Sequence, residues 1–228
     1  MIILHIETST TVCSVALSED SQCIFSRSNG DGLNHATMLS PFIQEAMDFL
    51  KNSHKNLDAV AVSGGPGSYT GLRIGVSTAK GLCYGLELPL IAVDTLEIIT
   101  MAAIKKNRDE DIDLFCPMID ARRMEVYTAF YNSRLKCIEA VSADIITPDS
   151  YQEILNSNKV LFFGNGAEKC MEVIKHEHAL YLPDIIPLAE NMIFLAEEKY
   201  QQQVFVNVAY YEPFYLKEFQ ATTPKKNL

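Results

Sequence analysis

Three short runs open the chain, "MIILHIE", "VCSVALS" and "CIFSRS", each continuously apolar or alternating apolar with polar over a length suited to a strand. The turn-prone "TSTT" and "EDS" separate them, which predicts a three-stranded antiparallel start. The period then changes. "NHATMLSPFIQEAMDFLKN" repeats its apolar positions helically, and the strand "LDAVAVSGG", the helix "YTGLRIGVSTAKGLCYGL", the short strand "PLIAV" and the helix "DTLEIITMAAIKK" follow. The predicted order is β-β-β-α-β-α, then β-α.

Past the charged stretch "KKNRDEDID", which reads as a solvated linker, the order repeats. "LFCPMIDA", "MEVYTAFYN" and "LKCIEAVS" predict three strands. "TPDSYQEILN" predicts a helix with Pro148 near its first turn, "KVLFFG" a strand and "AEKCMEVIKH" a helix. Overlaying "IETSTTVCSVAL" on "IDARRMEVYTAF" matches Glu7 with Asp120, an acid where the first strand of each half ends. The expectation is an α/β protein of two lobes of duplicated topology, residues 1–106 and 107–228, with a cleft between them; the second lobe carries a C-terminal helix and tail.

Composition narrows the function classes. The chain has 228 residues, 48% of them hydrophobic, and a formal net charge of -10 with no basic cluster longer than "KK" or "RR". Neutralising phosphates needs a basic surface, so direct nucleic-acid binding is not expected. "MIILHIETST" has no basic n-region, and no run approaches the roughly 18 apolar residues of a membrane span, which predicts a cytoplasmic protein that does not touch a membrane. Six scattered cysteines without a C-x-x-C pair read as reduced core residues.

The segment with most chemistry is "VSGGPGSYTGLRIG", residues 62–75: a buried strand, a glycine-rich turn through Gly65 and Gly67, and a helix whose free N–H groups could face an anion. Ser68 is a plausible N-cap there; G-P-G-S-Y-T-G is not the G-x-S-x-G nucleophile elbow, and no H-E-x-x-H occurs. The helix carries two ridges of small residues, Gly71–Gly75–Ala79 and Ser77–Gly81–Gly85, on different faces. Four glycines in one helix, each costing about 1 kcal/mol relative to alanine, point to a packing demand such as a partner. On the preceding helix, Leu39, Phe42, Ile43 and Ala46 belong to an apolar arc of about 180°, wider than one sheet requires.

"IETST", "SGGPGSYTGLRIGVSTAKGL" and "DARRMEVY" together resemble the TsaB (YeaZ) family of the actin-like ATPase superfamily, paralogues of the threonylcarbamoyl-transferring TsaD subunits. The blocks span most of the first half and the start of the second. The resemblance implies actin-like, ribonuclease H-like lobes, the second degenerate, and a non-catalytic subunit for making threonylcarbamoyladenosine in tRNA. Implied partners are TsaD and the ATPase TsaE, with a homodimer when alone and tRNA reached only through the complex. Since that family pairs through its first-lobe helices, His35, Leu39, Phe42, Ile43, Ala46, Gly71, Gly75, Ala79 and Tyr84 are expected at the interface. No catalytic residue and no tightly bound cofactor is expected, with ATP or ADP at the interface left open.

An active ATPase of that superfamily would use an acid at each strand end to hold hydrated magnesium, and small residues beside it. Glu7, Thr8 and Ser9 partly comply; Asp120 is followed by Ala121, Arg122 and Arg123 where glycines would stand. Those arginines either bind an anion or pair with Asp120 or Glu125. Arg73 is an interface or nucleotide contact, or else a surface salt bridge. "AVDTLEII" places Thr95 and Ile99 where TsaD-like chains carry two metal-binding histidines, and none of the five histidines replaces them, so no metal is expected. Rival readings are a small-molecule kinase or ATPase of the same fold and, less favoured, a metallopeptidase.

Overall fold

The computed structural model describes residues 1–30, 32, 34–108 and 111–217. Strand β1 (Ile2–Glu7) is buried throughout and pairs antiparallel with β2 (Cys13–Glu19), from Ile2↔Glu19 to Glu7↔Ser14, and parallel with β4 (Ala59–Ser63). The half-exposed β3 (Gln22–Asn29) and the short β5 (Leu90–Val93) are the edges, in the order β3-β2-β1-β4-β5. Period-2 alternation sends Ile2, Leu4 and Ile6 to one face, against Leu39, Phe42 and Ala46 of α1 (His35–Asn52) and Val76 and Ala79 of α2 (Tyr69–Leu86).

The second half repeats this plan. Strands β6 (Leu114–Asp120), β7 (Glu125–Tyr131), β8 (Cys137–Ile145), β9 (Val160–Phe163) and β10 (Ala179–Leu182) form a sheet of order β10-β9-β6-β7-β8, position for position that of the first. One face packs on Leu155 of α4 (Gln152–Leu155) and Ala167 and Cys170 of α5 (Ala167–Met171).

The inner faces exchange helices between the halves. Leu96, Ile99 and Ala103 of α3 (Thr95–Lys106) pack on Phe115, Ile119 and Phe163 of the second sheet. In return, Met192 of the 3₁₀ turn Ala189–Met192 and Leu195 and Ala196 of α6 (Ile193–Gln201) pack on Ile3, Ala59, Ala61, Ile91 and Val93 of the first. The C-terminal helix grouped with residues 107–228 thus covers the other sheet.

Other expectations shift in detail. The helix expected over 147–156 shortens to α4, with Pro148 ahead of it, and that over 167–176 stops at Met171; β10 had no predicted counterpart. The spare flank of α1 is covered within the chain, where Phe49 meets Phe25 of β3 at 5.8 Å between ring centroids. Four cysteines are buried, whereas Cys23 and Cys137 lie exposed on β3 and β8, outside any core. The expected linker includes residues 109–110, and the aromatic tail "AYYEPFYLKEF" ends at 218–219, all outside the described residues. Among the described residues no helix is long and apolar enough to cross a membrane.

Candidate functional site

The C-terminal ends of β1 and β4 in the first sheet and of β6 in the second carry the residues singled out for phosphate chemistry, where such strand ends bind ligands in open α/β sheets. Glu7 has no exposed surface. One carboxylate oxygen accepts the Ser9 N–H at 2.6 Å and the other has no hydrogen-bond partner. Burial pushes this carboxyl up to about 7, against the opposing pull of the Ser9 hydrogen bond. The Thr8 hydroxyl donates to the Gly71 carbonyl at 2.8 Å, and the Ser68 N–H donates to the Ser9 carbonyl at 2.7 Å. Ser68 caps α2 as expected, its hydroxyl accepting the Gly71 N–H at 3.3 Å.

The glycines of this turn make room for the chain itself. A Cβ at Gly67 would fall under 3.0 Å from the Ser9 carbonyl, one at Gly71 from the Thr8 carbonyl and one at Gly75 from the Thr8 hydroxyl. Gly65, at φ +106°, lies where a Cβ would meet the Phe214 carbonyl of the tail. Thr8, Ser9 and the tail thus lie directly against the glycines of this turn.

At the second strand end the acid is held by a lysine. Asp120 is ion-paired with Lys169, whose ammonium also donates to the carbonyls of Arg123 at 2.8 Å and Glu125 at 2.7 Å. The Asp120 carboxylate further accepts the Arg122 N–H at 3.1 Å, and the Asp120 N–H donates to Asn165 at 3.0 Å. The pairing expected of Arg122 or Arg123 with Asp120 or Glu125 is therefore corrected: Lys169 serves Asp120 and Lys217 serves Glu125. The arginines instead form a tight hairpin at φ +66° and +48°. Lys169 lies in the helix-predicting "AEKCMEVIKH", but nothing in spacing alone links it to an acid 49 residues away.

Magnesium with phosphate does not fit these groups as placed: Glu7 is sealed, Asp120 is committed to Lys169 and Gly67 is backed by Ser9. Among the described residues no group of three or more His, Cys, Asp or Glu side chains is arranged to hold a metal. His5 is buried with Nε2 2.8 Å from the Ser18 hydroxyl, and burial pushes it down to about 3. His35 is hydrogen-bonded to the Thr10 carbonyl at 2.8 Å, and His178 to the Leu155 carbonyl at 2.7 Å.

The interface expectations divide along α2. His35, Leu39, Phe42, Ile43, Ala46, Gly71, Gly75 and Ala79 are all buried against the chain's own sheet and loops. Tyr84, 82% exposed, is the expected interface residue that faces outward. Its neighbours are the other small ridge: nothing lies within 4 Å of a Cβ built at Gly81 or Gly85. Arg73 is exposed on this side, its Nη1 donating to the Tyr69 hydroxyl at 2.9 Å and its guanidinium 5.1 Å from the Tyr69 ring centroid. With Tyr69, Lys80, Tyr211 and Tyr215 it lines a cavity of about 300 Å³.

Comparison with known proteins agrees with this architecture. The family model of TsaD, tRNA N6-adenosine threonylcarbamoyltransferase, matches residues 32–225. The tRNA threonylcarbamoyladenosine biosynthesis protein TsaB of Escherichia coli is 33% identical over 95% of both chains, and that of Bacillus subtilis 32% identical over 87% of this chain and 88% of its own. The solved structure of YeaZ from Pseudomonas aeruginosa superposes with a TM-score of 0.78 at 25% identity, covering 94% of this chain and 99% of that one. The two-lobed actin-like fold expected from the sequence is thus present, and the chain belongs to the TsaB (YeaZ) family.

Proposed function

We propose that this chain is the accessory, non-catalytic subunit of a tRNA threonylcarbamoyladenosine machinery, docking through α2 with a TsaD-like catalytic paralogue and holding it in its active form. The E. coli and B. subtilis relatives are named for that biosynthesis. The ATPase TsaE joins the complex, tRNA is reached only through it, and the chain self-associates through the same surface when alone. Any ATP or ADP sits at the partner interface rather than in the strand-end cleft.

One observation carries this reading: the two faces of α2 differ. The inner ridge Gly71–Gly75 lets the helix lie directly on Thr8. The outer ridge keeps Gly81 and Gly85 with nothing above them, beside an 82%-exposed Tyr84. Two exposed helical glycines cost about 1 kcal/mol each and gain nothing within this chain, whereas they let a second helix approach closely.

Capture of the purified TsaD-like paralogue by wild type, Gly81→Arg and Tyr84→Asp tests this. Neither variant should melt below wild type, since both sites face open space, and capture should fall at least about tenfold, the equivalent of 1.4 kcal/mol. Undiminished capture by both variants would move the interface elsewhere. ATP turnover by the isolated chain would favour the kinase or ATPase reading instead.

A further inference from the structure

The segment after α6 belongs to neither copy of the repeated plan. It leaves α6 by an isolated bridge, Val206 N–H to the Leu90 carbonyl at 2.9 Å. Asn207 then gathers a turn, its side chain accepting the Ala209 and Tyr210 N–H groups at 2.9 and 3.2 Å. Lys80 of α2 holds the turn by donating to the Ala209 and Tyr211 carbonyls at 3.1 and 2.9 Å. Beyond it, the Phe214 N–H donates to the Gly64 carbonyl at 2.7 Å, and Tyr215 lies 4.9 Å from Tyr69 between ring centroids. Lys217 reaches Glu125 on β7 of the second sheet.

Val206, Val208 and Tyr211 are partly buried against the first core, Tyr211 over Gly64, but no side chain of this run is fully buried, and Tyr210 is 85% exposed and Phe214 48%. Segments held chiefly by exposed hydrogen bonds and few buried contacts open below the global unfolding free energy.

We propose that residues 206–217 form a reversible strap, locked by Tyr211 against Gly64, that ties the glycine-rich turn of the first sheet to the β6–β7 hairpin of the second and opens as a unit while both sheets stay folded. Gly64 is the lever. A Cβ there would collide with the Tyr211 hydroxyl, whereas its other neighbours, the Ala92 Cβ and the Val93 carbonyl, lie at an ordinary 3.6 Å. Gly64→Ala therefore forces the Tyr211 hydroxyl out of its seat, loosening the lock of the strap, and spares β4 and β5. Tyr211→Phe in the same chain removes the colliding oxygen and restores docking.

Hydrogen exchange read by mass spectrometry on the full chain tests the strap without any partner. In the wild type, the amides of Val206, Tyr211 and Phe214 should exchange about tenfold or more slower than an unprotected chain, yet well faster than those of β1. Gly64→Ala should erase that protection, leave β4 and α2 unchanged, and speed exchange at Ala121, whose N–H donates to the Glu125 carbonyl at 3.1 Å. Gly64→Ala with Tyr211→Phe should recover it. Lys80→Met, which removes the donor to two strap carbonyls, is an independent second release that does not touch the sheet. Strap amides as slow as β1, or unprotected in the wild type, would overturn the proposal, as would protection that survives both releases. Unchanged Ala121 exchange on release would overturn the bridging between sheets.

Discussion

Replacing Glu7 by Gln isolates the energetics of the sealed strand end. The carboxyl sits at about 7 in the folded chain against 4.5 for the ordinary group, and the cause is burial. A folded-state value raised in this way stabilises the fold at low pH, fully below about 4.5, and that contribution is lost as pH rises through about 7. The difference of about 2.5 units corresponds to about 3 kcal/mol of cost for keeping the carboxylate ionised at pH 8. Gln keeps an oxygen for the Ser9 N–H and carries no charge, so Glu7→Gln should be more stable than wild type at pH 8 by up to about 3 kcal/mol. In a chain of this size that is on the order of 6–12 °C in Tm. Near pH 4.5 the two proteins should converge. The wild-type profile alone hides this. His5, held down at about 3 against 6.5, loses stability as pH falls below 6.5, opposing Glu7 in the same window. Subtracting the two melting profiles, recorded by circular dichroism from pH 4.5 to 8, cancels His5. A pH-independent difference, or a less stable variant at pH 8, would refute the reasoning. So would a wild-type melting point raised by millimolar magnesium at pH 8 but not that of Glu7→Gln, because it would mean that Glu7 opens to a cation.

Gly81→Ala and Gly85→Ala, which place a Cβ in open space, should each raise stability by up to about 1 kcal/mol in thermal melts, and a loss would mean that the ridge packs within the chain. Truncation after Leu188 removes Met192, Leu195 and Ala196 from the inner face of the first sheet. Burying the first two side chains is worth about 3–6 kcal/mol, against a whole-domain stability of about 5–15 kcal/mol. The shortened chain should lose its cooperative melt, and a sharp transition would show that the exchanged helices are dispensable.

Local structure was legible in the first hundred residues because period and turn chemistry agree there: alternation in β1 to β3, the Ser68 cap and the unbroken helical spacing of α2 all point the same way. The identical sheet order follows from the repeat. What the pattern leaves open is which surface covers an apolar face. α3 and α6 each present residues in need of cover, and nothing local says that each finds it on the other half's sheet. Which ridge of α2 meets the sheet carried a signal of its own. Leu72, Val76 and Cys83 flank Gly71, Gly75 and Ala79, marking that side as the one that meets the sheet. Lys169 and the strap depend on contacts across 49 and about 150 residues, beyond any local pattern.

A glycine-rich strand-turn-helix does not by itself define a phosphate site; what stands opposite the glycines decides. Here the end of β1 carries Thr8 and Ser9, short enough for α2 to settle on their carbonyls, and Ser68 N–H donates to Ser9 rather than to an anion. The Ser68 and Gly71 N–H groups are thereby satisfied within the chain, and Glu7, cut off from water, drifts towards its neutral form. The same collapse holds α2 rigidly from beneath and leaves its outer ridge flat and open. On the proposed docking through α2, closing the inner face and presenting the outer one are two consequences of one helix lying low on the sheet. A change that lifts α2 from β1, such as a side chain at Gly71 or Gly75, should therefore disturb partner capture and the burial of Glu7 together.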